Sequence, residues 1–265
     1  MEGGKLYKAC YTGIFSRYRQ EINNPYTFLK QKQYMTGRVG FLTIGQSPRN
    51  DVMKDLMKIL PADLEVIQAG ALDDFNNIQE ISQKLGPKDG ELFYVTRMRD
   101  GLEVKVSKER LMPLMAAKVD YLDSLNVDVI VILCSGEFPN FRSDALIVYP
   151  DKILKGVASS ISYQGTTAIL IPSENQVDYA FGKWSKYFRE IVVFPISPYS
   201  AQHADFENVG RMIQNNGIKF VVMDCAGYDF SHKNILHSVA PQAKVITTRG
   251  IIGRVVSEMF RQKLA

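Results

Sequence analysis

The chain has 265 residues, 46% hydrophobic and 23% charged, with a formal net charge of +4. That balance fits a soluble globular protein with a substantial core, long enough for one large α/β domain or two small ones. No apolar run approaches the roughly 18 residues that span a bilayer, which excludes a membrane-spanning role. Residues 1–37 hold six Lys/Arg against two acids and the remainder carries 26 of each sign, so the body offers no footprint for nucleic acid.

The basic segment 1–36 lacks the apolar stretch of a signal peptide. Its one pattern is a short basic amphipathic turn in "CYTGIFSRYR". Two readings stand: the natural start is Met35, directly before the first strong strand, or the segment is an arm, either disordered or docked on the body. Three cysteines, an odd and low count without a secretion signal, point to a reducing cytoplasm and no disulfide framework.

From Arg38 onward, short β-branched runs alternate with amphipathic segments, the pattern of βαβ units around a mainly parallel sheet. "RVGFLTIG" reads as a strand and "SPRNDVMKDLMKIL" as a helix, with Ser47 at the N-cap and Pro48 at the first helical position. Strand "LEVIQAGAL" and helix "FNNIQEISQKLG" follow. "ELFYVTRMRDGLEVKVS" then breaks the parallel design, since Asp100-Gly101 between two alternating runs is a hairpin signal.

A helix from Ser107 to about Leu125 leads to "VIVILCSGEF", a strand that ends in Cys134. Next come strand "ALIVY", helix "PDKILKGVASSIS", strand "TTAILIPS", helix "NQVDYAFGKWSKYF", strand "EIVVFPIS" and helix "ADFENVGRMIQNNG". "FVVMDCAGYDF" repeats the strand-to-cysteine arrangement at Cys225. Helix "HKNILHSV", strand "KVITT" and helix "GIIGRVVSEMFRQKL" close the chain.

The inventory contains an internal echo: "VGFLTIGQS" resembles "TAILIPSEN", and each precedes a strand that ends in cysteine. Ser47 to Cys134 is 87 residues and Ser173 to Cys225 is 52, a difference of 35 that the hairpin and its long helix absorb. The reading is two pseudosymmetric, Rossmann-like α/β lobes with a ligand cleft outside the strand C-termini. Residues 37–163 plus 249–265 are assigned to the first lobe and 164–248 to the second.

Cys134 and Cys225 occupy equivalent places, so two sulfurs would approach a bound molecule from opposite sides. That suits removal of a proton from one face of a carbon acid and its return to the other. The thiolate is the working base, and the donors at the start of the following helix are expected to lower the thiol pKa. Gly136 and Gly227 would let backbone N–H groups approach a carboxylate closely, and Ser135 and Ala226 in the same turns are expected to contact substrate. The competing reading is packing, because a lone strand-end cysteine is usually a small core residue.

At the ends of the two leading strands, Gln46, Ser47, Pro48 and Arg49, and Ser173, Asn175 and Gln176, offer donors to substrate carboxylates. Ordinary N-capping by the two serines is compatible with that role, and Arg49 is either a carboxylate clamp or a solvated helix residue. Asp224 is expected on the opposite strand face with a structural role. Tyr228 either covers the cleft or packs. His232 and His237 lack metal-ligand spacing, and "GIIGR" lacks the dinucleotide fingerprint, so no metal and no nucleotide cofactor are expected.

"FLTIGQSPRNDV", the "DCAGY" strand end and the terminal "GIIGRVVSEM" together resemble the AroM-like proteins over residues 37–265. That family resembles the wider aspartate/glutamate racemase superfamily. The resemblance implies two pseudosymmetric lobes, no cofactor, one or two catalytic cysteines falling on Cys134 and Cys225, and a homodimer. It implies a fold more than a reaction. Amino-acid racemases usually follow the first cysteine with Asn-Thr and the second with Thr, whereas "CSG" and "CAG" stand here, leaving a non-amino dicarboxylate or hydantoin-like substrate open. Two functions follow as expectations: a cofactor-independent racemase, isomerase or lyase for a small carboxylate or dicarboxylate, and a non-catalytic metabolite-binding or regulatory protein on the same fold.

Overall fold

The computed structural model describes residues 37–260; the expectations about Met35 and the N-terminal arm lie outside the described residues. β1 (Gly37–Thr43) pairs in parallel with β2 (Leu64–Gly70) and β5 (Val129–Ile132), and β5 pairs with β6 (Leu146–Val148). The result is a parallel four-stranded sheet of order β2-β1-β5-β6. A second parallel sheet, of order β10-β9-β7-β8, is built from β7 (Thr166–Ile171), β8 (Glu190–Pro195), β9 (Phe220–Met223) and β10 (Lys244–Thr247). The two cysteine-bearing strands, β5 and β9, lie inside their sheets in matching positions.

The expected hairpin forms as an antiparallel pair, β3 (Phe93–Arg97) and β4 (Glu103–Ser107), with Gly101 at φ +94 in its turn, where a side chain would be strained.

Alternation along each strand dresses both faces of each sheet with helices. On one face of the first sheet, Leu42, Ile130 and Ile132 pack with Ile81 of α2 (Ile78–Leu85), with Leu111, Met115, Val119 and Leu122 of α3 (Lys108–Ser124), and with Val104 and Val106 of the hairpin. Gly40 is where α3 comes closest, because a Cβ there would stand 3.0 Å from the Leu122 side chain. On the other face, Val39, Phe41 and Val131 meet Val52 and Leu56 of α1 (Asn50–Leu56).

Each lobe then lends a helix to the other. α4 (Pro150–Ser160) follows β6 of the first sheet, yet its Leu154 and Ala158 sit in the core of the second, beside Ile169, Val222 and Trp184 of α5 (Val177–Trp184). α8 (Thr248–Met259) follows β10, yet its Ile252 and Val256 complete the first-sheet core around Phe41 and Leu56. The remaining face of the second sheet is closed by Phe206 and Ile213 of α6 (His203–Asn215) and Leu236 of α7 (Phe230–Val239). Among the described residues no helix is long and apolar enough to cross a membrane.

The exchange is fastened by Arg249 at the start of α8, whose side chain is 2% exposed. Its guanidinium donates to the carbonyls of Ala226 (2.6 Å), Gly227 (2.8 Å) and Asp51 (2.8 Å) and to Asp55 Oδ2 (3.0 Å). Arg249→Met keeps the bulk and removes every donor, leaving buried acceptors and a carboxylate with fewer partners. The expected loss is about 3–5 kcal/mol, read from the urea unfolding midpoint.

Candidate active site

Cys134 and Cys225 stand just past β5 and β9, where parallel strands deliver side chains to a common rim. Both line one cavity of about 110 Å³. By the room that a buried water needs, this holds on the order of ten waters, or a ligand of about as many heavy atoms. The two turns repeat each other: the N–H of Gly136 lies 3.3 Å from Cys134 Sγ, and that of Gly227 lies 3.3 Å from Cys225 Sγ. Both cysteines are free thiols.

Their electrostatics run opposite to the sequence expectation. Burial pushes the Cys134 thiol up to about 12, against the pull of the Gly136 N–H, and a charge on Cys225 or Asp224 pushes it further. Burial likewise raises Cys225, against the Gly227 N–H. A helix start lowers a thiol pKa only where the sulfur meets free N–H groups. Here each sulfur has one N–H and apolar walls, and desolvation of the thiolate prevails. At a pKa of about 12, about one part in 10⁵ of Cys134 is thiolate at pH 7.

Beside the thiols lies a buried charge cluster. Lys183, on α5 and 3% exposed, places Nζ 2.9 Å from Asp224 Oδ2 and 3.1 Å from Asp151 Oδ1. It also donates to the Ser135 carbonyl at 3.1 Å. Trp184 Nε1 donates to Asp224 Oδ2 at 2.7 Å. Burial alone would lower the lysine pKa, but the two carboxylates outweigh it and hold the ammonium charged. The contact with Asp151 is an ion pair without a well-directed hydrogen bond, since that oxygen has no hydrogen-bond partner. Asp151 in turn pairs with Lys155 at 3.0 Å, and Lys155 with Glu137.

Of the residues proposed from sequence, the cavity gathers Cys134, Ser135, Gly136, Asn175, Gln176 and Cys225. The leading-strand donors of the first lobe are committed elsewhere. Gln46 Nε2 donates to the carbonyls of Leu72 and Phe75, and its Oε1 accepts from Arg99 N–H. Ser47 donates through N–H and Oγ to Asp73 (2.6 and 2.8 Å). Ser47 is not a helix cap and Pro48 is not the first helical residue: a cis Ser47–Pro48 bond precedes α1, which starts at Asn50. Arg49 is not solvated: it is buried and bidentate to Asp51 at 2.8 Å.

Ser173 precedes the short 3₁₀ turn Glu174–Gln176 without capping it through its side chain. The carbonyls of Ala226 and Gly227 bind Arg249. Tyr228 is fully buried, edge-on to Phe206, with its hydroxyl donating to the Ile196 carbonyl at 2.7 Å, so it packs rather than covering the cleft. His232 is likewise structural, its ring stacked on Phe206 at 4.2 Å and its Nδ1 accepting from Asp229 N–H.

Lys183, Asp224, Lys108, Tyr94 and Tyr179 also line the cavity and were not singled out as ligand-facing from sequence. Lys183 left a signal: on α5 the apolar stripe Val177, Ala180, Trp184 runs directly beside it, and a cation there requires a buried acid. Asp224, expected to face away, meets that cation because regular pairing ends at Met223 and the alternation ends with it.

The AroM protein family model matches residues 39–260. Solved structures of similar fold include Picrophilus torridus aspartate racemase, with 11% identity and a TM-score of 0.54 over 86% of this chain and 96% of that one. Allantoin racemase from Klebsiella pneumoniae matches at 8% identity and a TM-score of 0.55 over 84% and 87%. Unliganded arylmalonate decarboxylase matches at 9% and 0.53 over 86% and 94%. No curated protein matches the sequence.

Two outcomes are expected. In pulse alkylation read by mass spectrometry, Cys134 reacts slowly at pH 7 and its rate rises about tenfold per pH unit toward its pKa, because the reacting thiolate is the form that higher pH creates. Lys183→Met leaves Asp224 buried without its cation and Asp151 with Lys155 alone, and costs about 3–5 kcal/mol in urea unfolding.

Proposed function

The chain belongs to the AroM family, and on that premise we propose that it is a cofactor-independent racemase, isomerase or lyase. It acts on a small carboxylate in a reducing cytoplasm that keeps both thiols free. The observation that carries this reading is the pair: Cys134 and Cys225 end equivalent inner strands of two parallel sheets and line the same cavity. A second copy of the chain as a dimer partner belongs to the same proposal.

In the proposed cycle the thiolate of one cysteine takes the proton from the carbon next to the carboxylate. The electron pair left behind is shared with the carboxyl group. The opposite thiol then donates its proton to the other face of that carbon and becomes the thiolate, so atoms and charge balance and the carbon inverts. In the lyase variant, loss of CO₂ creates the carbanion and only the donating thiol is needed. General acid and base groups placed in this way each contribute about 10²–10⁴ in rate.

The metabolite-binding reading is favoured by one observation, the upward push that burial exerts on both thiols. Proton NMR in D₂O with a panel of amino acids, hydroxy acids, aryl acids, diacids and hydantoins separates the two. Catalysis gives deuterium wash-in, isomerisation or CO₂ loss with one member, abolished or reduced by about 10² or more in Cys134→Ser and Cys225→Ser with folding intact. A member that raises the melting temperature but never exchanges would leave binding as the function, while turnover unchanged in both variants would sink the cysteine mechanism.

A further inference from the structure

We infer that the ligand of this cavity is an aryl-substituted monocarboxylic acid and not a dicarboxylate. The inference rests on the proposed site but not on its chemistry, since it concerns what fits between the walls.

Charge sets the first limit on the ligand. Four ionisable side chains other than the thiols and tyrosines line the cavity: Glu91, Lys108, Lys183 and Asp224. Glu91 is neutralised by Arg110, with a 2.6 Å contact. Lys183 is already shared between Asp224 and Asp151, which leaves that cluster without surplus positive charge next to the thiols. The neighbouring cations are also committed, Lys155 to Asp151 and Glu137, Arg49 to Asp51 and Arg249 to Asp55. Lys108, at the first turn of α3, is the one lining cation among the described residues with no acid at ion-pair distance. One carboxylate is thereby matched. A second would find no unpaired cation among the lining residues to meet it, and an uncompensated carboxylate inside a protein is strongly disfavoured.

Shape and polarity set the second. The walls are mainly Phe93, Tyr94, Ile171, Pro172, Tyr179 and Ala180. Three of these are rings, and Tyr94 is held in place by stacking on Phe138 at 5.2 Å and by donating to the Glu137 carbonyl. Gly136 keeps its place opposite that ring because any Cβ there would collide with Tyr94. Flat walls favour a flat occupant. A volume of about 110 Å³ admits a phenyl ring with a two- or three-carbon acid but leaves a four-carbon diacid wrapped in apolar surface. The few polar groups, Asn175, Gln176 and the turn at Ser135, suffice to orient a single carboxylate.

The test is calorimetric titration of the full chain with phenylacetate and 2-phenylpropionate against succinate and glutarate, repeated on Lys108→Met and Tyr179→Ala with folding checked by circular dichroism. The aryl acids are expected to bind at least about tenfold more tightly than the diacids, and each substitution to weaken them by about three- to tenfold. Diacids that bind as tightly as the aryl acids, aryl binding indifferent to both substitutions, or no binding of either class at millimolar concentration would overturn the inference. Deuterium exchange on the same samples keeps the two readings apart. Aryl acids that bind and never exchange defeat the carbon-acid proposal alone, while a diacid that exchanges defeats the ligand class alone.

Discussion

The site depends on one buried ammonium. Lys183 reaches from α5 to the Ser135 carbonyl, beside Cys134, and to Asp224, beside Cys225, so a single cation spans the two cysteine turns. Burying that charge is costly, and two carboxylates plus the Trp184 indole N–H on Asp224 are what make it tolerable. The arrangement adds little net stability compared with an apolar core of the same shape. What it provides is position, because the turns come from different sheets and an ion pair fixes their spacing more sharply than apolar contact would.

Arg249 braces the same region from behind. Its hydrogen bonds to the carbonyls of Ala226 and Gly227 orient the peptide planes of the second cysteine turn, and its pair with Asp55 anchors that turn to α1 of the first lobe. The exchanged helices supply the apolar half of this coupling: α4 leaves the first sheet to pack on the second, and α8 makes the reverse journey. Opening the cleft would therefore disturb both cores, and the cavity is a preformed slot between two mutually buttressed lobes.

This division explains what could be read from sequence. Cysteine at the end of an apolar run followed by a small residue occurs twice, and strand periodicity is local, so the lobes, the hairpin and the paired thiols were legible. The strand-end donors were not. A polar side chain that can reach a ligand can equally reach a neighbouring carbonyl, and Ser47 finds Asp73, 26 residues away, while Gln46 finds Leu72 and Arg99. Arg49 was ambiguous for the same reason, its partner Asp51 lying only two residues on. The direction of the thiol pKa was hidden as well, since it is set by walls contributed by the distant hairpin and α5.

The raised thiol pKa bears on how the pair would operate. The charge of either thiolate disfavours ionisation of Cys134 or its partner, so the two titrate as a coupled unit in which a doubly ionised state is remote. A two-sided proton relay needs one thiolate and one thiol, which is the singly ionised state of such a unit. The same desolvation that makes this state scarce in the empty cavity also makes its thiolate more basic, closer in pKa to the carbon acid it must deprotonate. Lys183 draws the Cys134 ionisation down and Arg49 and Arg249 draw down that of Cys225, so each sulfur has a cation that favours its charged form. Each sulfur is thus separately supported in its charged form, as a two-sided relay would require.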